Sequence, residues 1–298
     1  MRRIQNSFIL WGSVIKTCVK NEGFEGIFLT GNGNKDKVLI VMSGSNGGMR
    51  VTKKCAEFYD KNGIPALALA LFATKETQPF LDRVPVEYVE NAIKWLKDKG
   101  YKKIGIDGMS KGSEMALVAA SKFPDISCVI ARVPSYFVSE GLIGKKNKKP
   151  SGTSCWSYHG EQLPFAPYKT KTFDVLKMLR KEKEFYILPF NKDKDITPES
   201  LIKIESINAP ILILSSKHDT VWPSYEYALH IENKLKEINY PYKYKHIAYN
   251  HLSHLLLPKL PFIYKLAFKS ERKNMAACAD ERKNLGQELI SWVYDVWE

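Results

Sequence analysis

What this sequence of 298 residues lacks narrows the choices first. No apolar run approaches the ~18 residues of a membrane span, so no transmembrane helix is expected. The five cysteines, Cys18, Cys55, Cys128, Cys155 and Cys278, are odd in number and widely scattered. They show neither metal-pair spacing nor a disulfide framework, which fits a reducing compartment. The apolar stretch from Phe8 to Val14 is short and broken by Gly12 and Ser13, and no Ala-x-Ala site follows it. It does not read as a signal peptide, and a cytoplasmic protein is expected. There is no Walker A ending, internal repeat or low-complexity tract.

The net charge of +13 raises the question of acidic partners. The cations fall in small groups such as Lys145, Lys146, Lys148 and Lys149, or Lys177, Arg180, Lys181 and Lys183. No zinc-finger spacing, basic zipper or aromatic RNA-binding strand accompanies them, so nucleic acid is not an expected partner. A solvated lysine surface, able to attract a phosphorylated substrate, is the reading adopted.

Apolar runs of strand length recur at Val38–Met42, Pro65–Phe72, Ile104–Gly108, Cys128–Val133, Ile211–Ser215 and Tyr244–Ala248. Helical periodicity fills the intervals at Val51–Asn62, Val86–Lys99, Ser224–Glu237 and Ala279–Val296. Two antiparallel strands are expected within residues 8–29, turning near Asn21-Glu22-Gly23. Alternating strands and helices predict an α/β fold with a mostly parallel sheet covered on both faces. Residues 134–200 break this rhythm with few strand signals. They are too long for a plain loop, and are expected to form a cap inserted into a single domain spanning residues 1–298.

One stretch carries most of the chemistry. Gly108-Met109-Ser110-Lys111-Gly112 is Gly-x-Ser-x-Gly between an apolar strand and a helical run. A serine on so sharp a turn tolerates no Cβ on its flanks, and the helix behind it aims free N–H groups at developing negative charge. An ordinary Gly-rich turn is the alternative. Ser110 is the candidate nucleophile.

A serine nucleophile needs a base and an orienting carboxylate, which follow it in the order acid, then histidine, in an α/β-hydrolase. Asp219, in the loop after Ile211–Ser215, stands where the acid belongs; an Asx-type turn residue is the other reading. Two histidines, His251 and His254, follow the Tyr244–Ala248 strand. Their spacing hints at a metal pair, but no third ligand accompanies them, so neither a metal nor a cofactor is expected. His159, His218, His230 and His246 read as surface, loop or core residues. The oxyanion donors are expected to be the Lys111 amide and an amide of Ser43–Gly48, Ser45 first.

Together these segments resemble the C-terminal catalytic domain of acyl-CoA thioesterases and bile acid-CoA:amino acid N-acyltransferases, from about residue 14 onward. The resemblance is carried by Arg83-Val84-Pro85-Val86-Glu87-Tyr88, by Gly108 to Glu114, and by Trp156-Ser157-Tyr158-His159-Gly160 with Leu163-Pro164. Asp219 to Ser224 and His254-Leu255-Leu256 extend it. The family's histidine precedes a Leu-Ile-like pair, which implies His254. Its usual Gly-x-Gly before that histidine is His251-Leu252-Ser253 here, and the β-sandwich domain of animal members has no counterpart in this sequence. The resemblance implies acyl thioester hydrolysis, since members with a cysteine nucleophile transfer the acyl group to an amino acid whereas those with serine hydrolyse it. Trp156 and Tyr158 are then expected to line an acyl pocket. The same residues would also serve a dienelactone-hydrolase-like esterase or a peptidase without CoA, and a non-catalytic binding protein is the remaining class.

Overall fold

The structure is a computed structural model that describes residues 14–144, 148–169 and 195–298. The apolar stretch up to residue 13, Lys145 and Lys146, the Lys177–Lys183 group, and residues 170–194 of the expected cap lie outside the described residues.

The strands in chain order begin with β1 (Val14–Thr17), β2 (Glu25–Leu29), β3 (Lys37–Met42), β4 (Ala66–Ala70) and the short β5 (Val84–Pro85). Then come β6 (Lys103–Met109), β7 (Ile126–Arg132), β8 (Glu140–Ile143), β9 (Lys149–Ser154), β10 (Trp156–Tyr158) and β11 (Glu161–Gln162). The last two are β12 (Ile211–Ser216) and β13 (Tyr244–Tyr249). Among the described residues the helices are α1 (Val19–Glu22), α2 (Arg50–Lys61), α3 (Glu87–Asp98) and α4 (Lys111–Lys122), followed by α5 (Ser224–Glu237), α6 (Phe262–Ala267), α7 (Lys269–Lys273) and α8 (Met275–Ser291).

Among the described residues, eight strands form the main sheet in the order β1-β2-β4-β3-β6-β7-β12-β13. β1 and β2 pair antiparallel, β2 joins β4 antiparallel, and every later pair is parallel. The expected early hairpin is therefore present, with one helical turn, α1, between its strands and Gly23 in the left-handed region at φ 76°. Parallel strands buried on both faces read as unbroken apolar runs, which is why β3, β4 and β12 were visible in the sequence.

Side chains alternate between two cores, as the twofold period of a strand requires. Along β3, Val38, Ile40 and Met42 join one core with α3, α4 and α5, while Leu39 and Val41 join the other with α2 and α8. Helix α4 is buried from Lys111 to Ala120. It is the central helix of its layer, and its apolar periodicity is weak because it has no solvent face.

The interval after β7 departs from the expected strand-poor segment. β8 and β9 pair antiparallel, and β10 joins β11 and the distant β5 in a three-stranded sheet. These strands are two to six residues long and interrupted by Ser, Gly and other polar residues, so they carry no long apolar run. All five cysteines are free thiols. Among the described residues, no helix is long and apolar enough to cross a membrane.

Candidate active site

Ser110 sits between the end of β6 and the start of α4, with φ 59° and ψ −121°. An L-residue rarely adopts that backbone, and such strain concentrates at functional sites. The turn is held by the Ser110 amide on the Arg132 carbonyl at 2.9 Å and by Ser113 and Glu114 amides on the Ser110 carbonyl at 2.9 and 3.1 Å. The flanking glycines follow from packing. A Cβ at Gly108 would lie 2.1 Å from the Gly112 carbonyl oxygen, and one at Gly112 would lie 2.5 Å from the Ser43 carbonyl oxygen. Helix geometry leaves the first amides of α4, Lys111 included, without a partner inside the helix.

The loop after β3 runs against this turn. A Cβ on Gly44 would stand 2.9 Å from the Ser110 Cβ and 3.2 Å from its Oγ, so residue 44 approaches the serine as closely as only glycine allows. Ser45 follows, half-buried, its carbonyl accepting from the Lys148 ammonium. A cavity of about 390 Å³ opens beside the same loop, lined by Asn46, Phe72, Pro79, Phe80, Leu142 and Lys148 among others.

Asp219 and His254 meet. His254 Nδ1 and Asp219 Oδ2 are 2.7 Å apart, and both side chains are buried. The other carboxylate oxygen, Oδ1, accepts from the Val221 amide at 2.8 Å and the Trp222 amide at 3.4 Å. The turn role and the pairing role are thus both filled, one by each oxygen. The Trp222 indole stands edge-on to the His254 ring at 5.7 Å, and its Nε1 donates to the Val133 carbonyl at 3.2 Å. Ser110, Asp219 and His254 all follow the C-terminal ends of parallel strands, β6, β12 and β13, the edge at which such sheets bind ligands.

His251 points elsewhere. Its Nδ1 is 2.9 Å from Glu281 Oε1, and Glu281 also accepts from the Asn250, His251 and Leu252 amides. Ser253 donates its amide and hydroxyl to Glu271, while Arg282 donates to the Leu255 and Leu257 carbonyls and to Glu271. The residues that replace the family's glycines are therefore suspended from α7 and α8. His246 is held between Ser215 Oγ and Glu232, and His230 stacks on Tyr136. Among the described residues, no group of three or more His, Cys, Asp or Glu side chains could hold a metal ion.

Two expected pocket residues are placed otherwise. Trp156 is fully buried and its indole N–H donates to Glu114 Oε1 at 2.9 Å, so it serves a polar cluster rather than an open pocket. Tyr158 lies against Phe123 and beneath the Lys122 ammonium, at the C-terminal end of α4, roughly 18 Å along that helix from Ser110. Aromatic character in the sequence did not separate a pocket wall from a packing contact.

The cluster that captures Trp156 was not foreseen. Lys111 is fully buried, its ammonium 3.2 Å from Glu114 Oε2 and bonded to Ser139 Oγ, with the Tyr168 ring 5.6 Å away. Burial works against the Lys111 charge, but neighbouring Cys155 and Glu114 outweigh it and hold its pKa above the ordinary lysine value. Burial pushes the Tyr168 hydroxyl up to about 12 and raises the Cys155 thiol well above its usual value. The second unforeseen pair is Asp107 with Arg132. Arg132 Nε and Nη2 each lie 2.8 Å from the carboxylate, and Nη1 donates to the Leu256 carbonyl at 3.1 Å. A charged residue inside each of two apolar strand runs was the available signal, since fully buried charges are almost always paired.

Comparison with known proteins gives a family and a fold. The C-terminal domain family of BAAT and acyl-CoA thioester hydrolases matches residues 84–276, well over half of the chain. No curated protein matches this chain by sequence. Among solved structures, a Klebsiella pneumoniae protein assigned as a dienelactone hydrolase is similar at 13% identity and a TM-score of 0.59, over 95% of this chain and 98% of its own. An esterase from Pyrococcus furiosus is similar at 16% identity and a TM-score of 0.53, over 94% and 98%. An acylaminoacyl peptidase from Pyrococcus horikoshii is similar at 11% identity and a TM-score of 0.54, over 96% of this chain and 42% of its own. At these identities the likeness is one of fold. The chain belongs to the BAAT / acyl-CoA thioester hydrolase C-terminal family and is a hydrolase of the α/β-hydrolase type.

Proposed function

We propose that the chain hydrolyses acyl thioesters through Ser110, His254 and Asp219 and an acyl-serine intermediate. The observation that carries this reading is the buried 2.7 Å bond between His254 Nδ1 and Asp219 Oδ2, on the sheet edge that also presents the strained Ser110. With Nδ1–H donated to the carboxylate, the histidine's Nε2 is left as the acceptor for a serine proton.

In this scheme Ser110 Oγ attacks the thioester carbonyl as His254 takes its proton. The tetrahedral oxyanion is received by the amides of Lys111 and Ser45, and its collapse expels a thiolate that collects the proton from His254. Water, deprotonated by the same imidazole, then attacks the acyl-serine, and His254 returns that proton to Ser110 Oγ as the acid is released. The close approach of Gly44 to Ser110 supports the Ser45 assignment, because the next amide lies one residue along that loop. Removing one such donor typically costs about 3–4 kcal/mol of transition-state stabilisation. The cavity along Phe72, Phe80 and Leu142 is the acyl site of this reading, in place of Trp156 and Tyr158.

Residues 1–298 are proposed to act as a single domain, with 134–200 as the cap within it. Free thiol release from a panel of acyl-CoAs, with and without glycine or taurine, tests the substrate class beside matched p-nitrophenyl esters. Thiol release that ignores the amino acid is expected. An N-acyl product would make the chain a transferase, and activity on the esters alone would make it a carboxylesterase.

A further inference from the structure

Large apolar side chains are seldom left exposed in contiguous groups, and where they are, the patch marks an interaction surface. Eight such side chains are exposed among the described residues, and five of them, Phe262, Ile263, Tyr264, Leu266 and Met275, fall between 262 and 275. Phe262 and Ile263 are 65% and 70% exposed, the largest values of the group. This segment begins a few residues beyond the His254 loop and comprises α6, α7 and the first residue of α8.

Successive residues of an α-helix point about 100° apart, so Phe262, Leu266 and Ile263 fall within one arc of about 100° on the six-residue α6, and Lys265 lies outside it. An apolar arc flanked by a cation is what the interfacial layer of a bilayer receives.

Charge agrees with that choice. Lys259, Lys265, Lys269, Arg272 and Lys273 lie within or beside the segment. Its one acidic residue, Glu271, is buried and paired with Arg282. Apolar and aromatic side chains flanked by cations are the pattern of an element that lies in the headgroup region of an anionic bilayer.

We propose that α6 and α7 dock this protein on the surface of an anionic lipid bilayer, with Phe262 and Ile263 entering the interfacial layer and the surrounding lysines facing lipid phosphates and carboxylates. The inference rests on these exposed residues and not on the hydrolytic reading.

Co-sedimentation of the full chain with vesicles of phosphatidylcholine, or of phosphatidylcholine containing about one-third phosphatidylserine, tests it. Binding to the anionic vesicles is expected to exceed that to the neutral ones about tenfold or more and to weaken with added salt. Phe262→Ser with Ile263→Ser, and separately Lys259→Glu with Lys265→Glu, are each expected to lower binding about tenfold. Unchanged circular dichroism, melting temperature and hydrolysis of a water-soluble ester would show that the fold and site are intact. Binding by both double variants equal to that of the unaltered chain would overturn the proposal. So would failure of the unaltered chain to bind the anionic vesicles; a dimer that the Phe262→Ser and Ile263→Ser changes convert to monomer would then show the patch covered by a second copy.

Discussion

Asp107 and Arg132 lock the strand that ends at Ser110 to the loop that carries His254. Both guanidinium–carboxylate contacts are 2.8 Å, both side chains are essentially inaccessible, and the remaining Arg132 nitrogen reaches the carbonyl of Leu256, two residues past His254. Tyr59 of α2 adds its hydroxyl to the same carboxylate at 2.8 Å. Burial works against the Arg132 charge, but the Asp107 carboxylate beside it holds its pKa above the ordinary arginine value.

Arg132→Met is therefore expected to destabilise the fold by about 3–5 kcal/mol, because it leaves a buried carboxylate unpaired. Adding Asp107→Asn should recover a good part of that stability while activity stays low, since the Leu256 carbonyl has still lost its donor. Urea unfolding of the two single variants and the double variant, with kcat for each, separates the contributions.

Asp219→Asn makes a sharper prediction. Oδ1 must remain an acceptor for the Val221 and Trp222 amides, so an asparagine has to place its NH2 toward His254. The imidazole would then adopt the tautomer that cannot accept a serine proton. A loss in kcat of about 10⁴ with little change in KM is expected. Steady-state kinetics checks it, and a loss below tenfold would remove Asp219 from the mechanism.

Gly112→Ala sets helix propensity against packing. Alanine gains about 1 kcal/mol over glycine in an open helix position. Here the new Cβ would lie 2.5 Å from the Ser43 carbonyl oxygen and 2.8 Å from that of Met42, both backbone atoms. The clash wins: a net loss of about 1–3 kcal/mol is expected, with reduced kcat, as the loop beside Ser110 is pushed away. Chemical denaturation together with kinetics gives the answer.

Alkaline pH should weaken the fold. Burial raises Tyr168 from 10.0 to about 12 and Cys278 from 9.0 to about 11. The unfolded chain thus releases these protons first. Stability is full below pH ~9 and falls as pH rises toward ~11–12. Urea midpoints measured across that range should drop, and Tyr168→Phe should make the upper part of the drop shallower.

Much of this was legible in the residues themselves. The apolar runs of β3, β6 and β12 announce a buried parallel sheet, and the bounds of α5 follow from its periodicity. The glycines around Ser110 declare an elbow because no other residue fits beside the Ser43 and Gly112 carbonyls. What stayed hidden depends on contacts between distant segments. Lys111 looks like a surface lysine until Glu114, Ser139 and Tyr168 enclose it. Trp156 looks like a pocket wall until its N–H is found on Glu114. β8 to β11 are too short and polar to show a twofold pattern, and the bonds from Glu271, Glu281 and Arg282 to the histidine loop span 18 to 31 residues of sequence.

The central claim is that acyl groups pass through Ser110, and the mass of the enzyme tests it most directly. Brief mixing with an acyl-CoA, acid quench and peptide mass analysis should find the acyl increment on the peptide containing Ser110. Ser110→Ala should show neither the adduct nor thiol release, while keeping its circular dichroism and melting temperature. An adduct on another residue, or undiminished thiol release from the folded Ser110→Ala protein, would contradict the account.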